Sequence, residues 1–191
     1  MIILPDFNIV AKGEISAAFL NREIKTFHGA CEFIRHLLYG RNSDKSNLLC
    51  VFNDNKGTCS TKHAVLKRLT VENNLAGFAL MLGIFKMNAL NTPKIGSTLF
   101  KYGLEYIPEA HTYLKYDQNY FDFTRENAAP EDFLDDLMYE IEIKPDDVHL
   151  RKVEIHRDFL QEWLWERPEI PFSLEELWQI REQCIADLSD N

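Results

Sequence analysis

The stretch that most limits the possible folds is the apolar run from Leu75 to Met87, which is rich in Phe, Leu, Met and Ile. Its length suits either a buried helix or a long strand. We interpret it as a strand because Gly77 and Gly83 disfavour a helix. Residues 78–85 would then suit a sheet that is covered on both faces.

Two segments before this run have the periodicity of amphipathic helices. Residues 27–39 carry apolar side chains at helical spacing, and Gly40 follows as a predicted C-terminal cap. Residues 60–72 follow the 3.6-residue period without an internal Gly or Pro. Residues 47–52, between these segments, predict a short apolar helix or turn. We expect these N-terminal helices to pack on the sheet.

Residues 109–124 predict a β-hairpin, because aromatic and Thr-rich arms flank the polar tip Lys115-Tyr116-Asp117-Gln118. If these four residues form the loop, Leu114 pairs with Asn119 and His111 lies directly opposite Asp122. Strand side chains alternate between faces, so one face is mainly polar and tyrosine-rich and the other is apolar. The first face would hold His111, Tyr113, Tyr120, Asp122 and Thr124, and the second would hold Leu114, Phe121 and Phe123.

The C-terminal part of the chain predicts two helices. Residues 155–166 have an apolar side, and Pro168 ends the helix that they form. Ser173 and Glu176 have the spacing of a capping box, so a last helix is expected from Leu174 to about Leu188. We expect both helices to pack beside the core and to supply no catalytic group.

Most of the negative charge is concentrated between the hairpin and these helices. The formal net charge is −9, and residues 126–147 hold nine acids against Lys144 alone. Within this acidic crossover, residues 138–143 alternate and predict a further strand. The crossover is interpreted as a solvated surface, with a docking site for a basic partner as the alternative. Nucleic-acid binding is not expected, because it requires a concentrated basic face.

Length and composition indicate one globular domain. The chain has 191 residues, of which 46% are hydrophobic and 27% charged. We predict an α+β fold in a single domain, 1–191, with a core at 27–124 and an extension at 125–191 formed by the acidic crossover and the C-terminal helices. No membrane span is expected, and residues 1–10 lack the basic start and apolar core of a secretory signal.

Cys59 has polar neighbours, unlike the other cysteines. Four cysteines without Cys-x-x-Cys spacing predict a reduced, cytoplasmic protein. Cys31 and Cys184 lie on predicted apolar helix faces and Cys50 lies in an apolar turn, so these three should be shielded. Cys59 instead follows Gly57-Thr58 at the start of a predicted helix. The N–H groups and the positive dipole end there favour an anion, so this thiol should ionise more easily than a free one.

Cys59, His111 and Asp122 are the parts of a Cys-His-Asp triad. Cys59 would be the nucleophile as a thiolate, and His111 would stabilise it and later protonate a leaving amine. Asp122 would set the tautomer and orientation of the imidazole. The backbone N–H of Cys59 is a candidate oxyanion donor, and the side chain of Asn53 is a second candidate. The alternative for Asn53 is a helix-ending or turn residue.

The order and spacing of these residues resemble the transglutaminase-like superfamily of papain-like cysteine enzymes. The resemblance rests on Gly57-x-Cys59, His111-x-Tyr113 and Asp122-x-Thr124, and it covers residues 27–124. Family patterns usually have Trp and Pro where this chain has Tyr113 and Phe123. The resemblance implies a helix with Cys59 packed on an antiparallel sheet that carries the other two residues. It also implies a hydrolase or acyltransferase that cleaves an amide or related acyl bond through a thioester.

The expected substrate is a peptide, a protein or a small amide, and no cofactor or metal is expected. Cys59 and His63 are four residues apart on a helix and could share a metal, but no second ligand pair accompanies them. His63 could also serve as the base in place of His111. A different class of function is a non-catalytic protein-interaction module on the same fold, with the acidic crossover and C-terminal helices as the partner surface.

Overall fold

Helices lie toward both ends of the chain, and most of the strands lie between them. The structure, a computed structural model, describes residues 4–189. Residues 1–3 lie outside this range, and they belong to the segment 1–10, for which no secretory signal is expected. The α-helices are α1 (Glu14–Leu20), α2 (Phe27–His36), α3 (Cys50–Asn53), α4 (Cys59–Glu72), α5 (Gly96–Tyr102), α6 (Leu150–Trp165) and α7 (Leu174–Ser189).

The strands of the described residues form two sheets. They are β1 (Leu38–Tyr39), β2 (Lys56–Gly57), β3 (Phe78–Asn88), β4 (Tyr106–Tyr116), β5 (Asn119–Phe121) and β6 (Leu137–Ile143). β1 and β2 are a short parallel pair, whereas the other four form an antiparallel sheet in the order β5-β4-β3-β6. The predicted α+β class is therefore confirmed.

The apolar run forms β3, as predicted, and β3 has a neighbouring strand on each edge. Leu80, Leu82 and Ile84 are wholly buried, and Met81 and Phe85, on the opposite face, are almost as inaccessible. Burial on both faces is the physical reason for the continuous apolar sequence. Gly77 precedes the strand with a φ of 88°, a conformation that disfavours residues with a side chain.

The described residues form two compact units, each of which packs mainly against itself. The first contains the chain up to Leu82, His111–Pro130 and Ile141–His149. The second contains Gly83–Ala110, Glu131–Glu140 and the chain from Leu150 onward. The single domain, with its core at 27–124 and its extension at 125–191, stays a prediction.

α2 is shorter than predicted. It begins after the cap Thr26, whose hydroxyl accepts a hydrogen bond from the Gly29 N–H, and it ends at His36 instead of Tyr39. The next residues are extended as β1 and pair with β2. The N–H of Gly40 then donates to the carbonyl of Gly57 at 3.2 Å, so Gly40 continues this pairing and is not a helix cap. Pairing with a distant segment thus overrides the local helical pattern.

The predicted hairpin register is wrong by two residues. The pairs are Leu114 with Phe121, Lys115 with Tyr120 and Tyr116 with Asn119, so the loop has two residues instead of four. Asp117 in the loop has a φ of 52°, which Asp tolerates and which two-residue hairpins often require. The ammonium group of Lys115 lies 4.6 Å from the centroid of the Tyr120 ring and stabilises this pairing. Because the shift is an even number of residues, the side chains of the paired residues keep their predicted faces.

The second unit contains both C-terminal helices. α6 begins at Leu150, five residues earlier than predicted, whereas α7 has its predicted start. The capping box is confirmed, since the Ser173 N–H donates to the Glu176 carboxylate at 2.8 Å and the Glu176 N–H donates to the Ser173 hydroxyl at 3.3 Å. On α7, Arg181 forms two hydrogen bonds with the buried carboxylate of Glu109.

Candidate active site

Cys59 is the first residue of α4, as predicted. Thr58 is the N-cap with extended backbone, and its N–H donates to the Thr61 hydroxyl at 3.1 Å. A Cβ at Gly57 would lie 2.9 Å from Cγ of Lys62, so the loop approaches the helix at a distance that only glycine allows without a shift. Cys59 itself is buried, with an exposed fraction of 6%.

His111 and Asp122 are joined by a hydrogen bond. Nε2 of His111 donates to Oδ2 of Asp122 at 2.8 Å, and Oδ1 of Asp122 accepts the Thr124 N–H at 2.8 Å. The exposed fraction of the side chain is 16% for His111 and 4% for Asp122. Both carboxylate oxygens therefore have a partner in a largely dry environment.

The imidazole of His111 also forms a side-chain hydrogen bond with Cys59. Because Nε2 is used by Asp122, Nδ1 is the nitrogen that remains for the sulfur. Burial favours the neutral imidazole, but the charges of Asp122 and of the Cys59 thiolate outweigh it and raise the pKa of His111 to about 10. Burial likewise opposes ionisation of Asp122, but His111 holds the pKa of that carboxyl well below its usual range. The structure thus brings the three predicted residues into one chain of contacts.

His63 is wholly buried and both of its ring nitrogens have partners. Nδ1 donates to the carbonyl of Cys59 at 2.8 Å, and Nε2 accepts the N–H of Phe123 at 2.8 Å. These partners require the neutral tautomer, and burial lowers the pKa of His63 to about 4. His63 therefore has no nitrogen lone pair left with which to act as the base or to bind a metal.

Lys62 is a buried charged residue whose role was not predicted. Its side chain is wholly buried, and Nζ donates to the carbonyls of Leu37 at 2.5 Å and Thr124 at 2.8 Å. Burial lowers its pKa to about 8, against the opposing charges of Asp122 and Cys59. The sequence does contain a signal for this role. Lys62 is the single Asp, Glu, Lys or Arg residue in the first two turns of α4, and such an isolated charge is unusual in a stretch that is otherwise uncharged.

Asn53 does not join this group. It is the last residue of α3 and is exposed, which agrees with the alternative of a helix-ending residue. A different asparagine, Asn42, is buried beside the loop that leads to Cys59. Its Oδ1 accepts from the Thr61 hydroxyl at 2.7 Å, and its Nδ2 donates to the Lys56 carbonyl at 2.8 Å. Asn42 therefore holds the loop in place, and the Cys59 N–H remains the candidate oxyanion donor.

The other three cysteines are buried free thiols, as predicted. Burial raises the pKa of Cys31 well above its ordinary value, that of Cys50 to about 11 and that of Cys184 to about 12. Such thiols are protonated and shielded at neutral pH. Of the four, Cys59 has a histidine side chain as a hydrogen-bond partner.

His156 on α6, in the second unit, is a buried histidine with an exposed fraction of 2%. Its Nε2 donates to the Pro108 carbonyl at 2.9 Å, and its ring contacts that of Trp178 at a centroid distance of 5.3 Å. An aromatic ring with a satisfied N–H is readily buried, which the helical pattern alone does not reveal.

The region described by the structure contains no group of three or more His, Cys, Asp or Glu side chains that could hold a metal ion. Within the same residues, no helix is both long enough and apolar enough to cross a bilayer. Comparisons with protein-family models, with curated protein sequences and with solved structures give no significant match. Fold and site together define an α+β protein with a buried Cys-His-Asp group in its first unit.

Proposed function

We propose that the protein is a cysteine-dependent hydrolase or acyltransferase that acts on an amide or related acyl bond. The observation that carries this proposal is the continuous set of side-chain hydrogen bonds from Cys59 through His111 to Asp122. A peptide, a protein or a small amide would be the substrate, as in the transglutaminase-like enzymes that the sequence resembles. Because all four cysteines are free thiols, a reduced cytoplasmic setting belongs to the proposal.

The first half of the reaction forms a thioester. The Cys59 thiolate attacks the carbonyl carbon, and the electron pair of the C=O bond moves to the oxygen. As the tetrahedral intermediate collapses, the C–N bond breaks and His111 donates its Nδ1 proton to the leaving amine. Asp122 keeps Nε2 protonated and orients the ring throughout.

The second half transfers the acyl group. Neutral His111 takes a proton from water or from an acceptor amine, which attacks the thioester carbon. The C–S bond then breaks, and the thiolate and imidazolium of the resting site are restored. Water gives hydrolysis and an amine gives acyl transfer, so both reactions use the same three residues.

The oxyanion needs hydrogen-bond donors that are in place before the reaction. Cys59 is the first helical residue of α4, where backbone N–H groups lack an intrahelical acceptor. The positive end of the helix dipole adds to their effect. The N–H of Cys59 is therefore the proposed donor, and this role needs no contribution from Asn53.

Selective alkylation tests this proposal without a known substrate. At pH 6 an ordinary thiol, with a pKa of about 8.5, is almost wholly protonated, whereas an activated cysteine reacts. We expect iodoacetamide to label Cys59 before the other cysteines in the folded protein, as read by peptide mass spectrometry. His111→Ala should slow this labelling strongly, and Cys31→Ala, at a buried thiol on another helix, should leave its rate unchanged.

The competing hypothesis makes the opposite prediction. A non-catalytic interaction module needs no activated thiol, so its Cys59 would react only after unfolding. Labelling of all four cysteines together in denaturant, with none in the folded protein, would overturn the proposed function.

A further inference from the structure

The backbone around Asp122 is held by side chains of α4. β5 ends at Phe121, so residues 122–124 lie outside the strand. Two of their backbone groups nevertheless have buried partners: the Phe123 N–H donates to His63, and the Thr124 carbonyl accepts from Lys62. Both partners lie on the helix that begins with Cys59.

His63 spans the distance between the nucleophile and the acid. One nitrogen is bonded to the Cys59 carbonyl and the other to the N–H that follows Asp122, each at 2.8 Å. Nε2 also lies 3.5 Å from Oδ1 of Asp122. If this nitrogen were protonated it would compete with His111 for the same carboxylate, so the arrangement requires His63 to be neutral.

Lys62 ties the same segment to a second helix. Its ammonium group joins the Thr124 carbonyl to the carbonyl of Leu37, the C-terminal cap of α2. The guanidinium of Arg35, also on α2, lies 5.0 Å from the centroid of the Phe123 ring. The buried ammonium group thus supplies a donor to the Thr124 carbonyl, which lies beyond the end of β5.

We infer that Lys62 and His63 are positioning residues, which together form a clamp that places Asp122 against His111. Neither residue needs to touch substrate, because each acts on the backbone that carries the acid. This inference rests on the proposed function, since it assigns the two residues a part in the activation of Cys59. It also explains why the site assembles although the hairpin register differs from the predicted one.

Two amides of different length test the His63 half of the clamp. The oxygen of His63→Gln can reach the place of Nε2 and accept the Phe123 N–H, whereas the shorter side chain of His63→Asn can replace only Nδ1. We expect His63→Gln to keep the wild-type dependence of Cys59 alkylation on pH. His63→Asn should slow alkylation at pH 6 by about 10- to 100-fold, because it leaves the buried Phe123 N–H without an acceptor.

Two lysines on one helix test the other half. Lys67 also lies on α4 and donates to a backbone carbonyl, that of Phe78. Lys62→Met should move the onset of Cys59 alkylation toward the pH of an ordinary thiol. Lys67→Met, the matched control, should leave that onset unchanged even where it lowers the unfolding temperature.

Thiolate absorbance near 240 nm, measured against Cys59→Ser, gives a second readout that a merely structural role would not move. Folded His63→Asn and Lys62→Met proteins with wild-type alkylation and absorbance profiles would overturn the clamp and leave the proposed function standing. Loss of the wild-type pH dependence of alkylation in His63→Gln as well as in His63→Asn would also overturn the clamp. The hydrogen bond with the Phe123 N–H would then not be the contact that positions Asp122. A wild-type protein without an ionised thiol at pH 6 would overturn both proposals.

Discussion

Asp122→Asn removes one charge from the site and nearly preserves its shape. The carboxylate accepts two hydrogen bonds, from His111 and from the Thr124 N–H. An amide has a single oxygen, so one of these donors must face the NH₂ group instead. The substitution therefore removes the charge that raises the pKa of His111 and also breaks one buried hydrogen bond.

The electrostatic effect can be sized from the 2.8 Å distance between Nε2 and Oδ2. With an effective dielectric constant of about 20, two unit charges at this distance attract by about 6 kcal/mol, before the cost of desolvation. That energy corresponds to a change of about four in the pKa of His111. From its value of about 10, which already includes the effect of burial, the pKa would fall to about 6.

Alkylation of Cys59 by iodoacetamide at pH 6 measures the consequence. Without the ion pair, Cys59 should behave as an ordinary thiol, of which about 0.3% is ionised at this pH for a pKa of about 8.5. We therefore expect the second-order rate constant to fall by about 100-fold or more. Asp117→Asn, in the turn of the same hairpin, is the matched control and should keep the wild-type rate. A folded Asp122→Asn protein that reacts within about threefold of the wild-type rate would refute the coupling between Asp122 and the ionisation of Cys59.

Three further predictions concern stability. Burial lowers the pKa of His63 to about 4, so its contribution to the free energy of unfolding is present above about pH 6.5 and is lost as the pH falls through 4. We expect a loss of about 3 kcal/mol in denaturant titrations at acid pH. His63→Gln should abolish this loss, and an unchanged dependence of the unfolding free energy on pH in that variant would contradict the prediction. Arg181→Met should cost about 3–5 kcal/mol in urea unfolding, because it leaves the buried Glu109 carboxylate uncompensated. The double variant Glu109→Leu with Arg181→Met should be more stable than the single Arg181 variant, and equal losses would count against this reasoning. Gly77→Ala should cost about 1–3 kcal/mol by thermal melting, because a side chain is strained at a φ of 88°, and an unchanged melting temperature would argue against that backbone conformation.

Elements with a strong local pattern were predicted well. β3 is readable because burial on both faces demands a continuous apolar run, and α4 because its residues repeat at 3.6 with no breaker. The position of Cys59 at a helix start follows from the polar loop before it. The two C-terminal helices follow from an apolar side and a capping box. In each case the information lies within a few turns of the chain.

Two features were predicted less well, the end of α2 and the register of the hairpin. The end of α2 is decided by the pairing of β1 with β2, which competes with a helical pattern that is locally satisfactory. The hairpin register is decided by the two-residue turn and the Lys115–Tyr120 contact, and both registers place the side chains of the paired residues on the same faces. The pattern of polar and apolar residues therefore cannot tell them apart.

The sequence by itself determined the kinds of groups in the site: a cysteine at a helix start, and a histidine and an aspartate from one hairpin segment. Only the tertiary structure decided how they meet. It showed that both ring nitrogens of His63 have hydrogen-bond partners, that Lys62 is buried and that Asn53 is exposed. The physical reason is that the periodicity of one element reports its own faces, whereas the partner of a buried polar group lies on another element, whose position no local pattern contains.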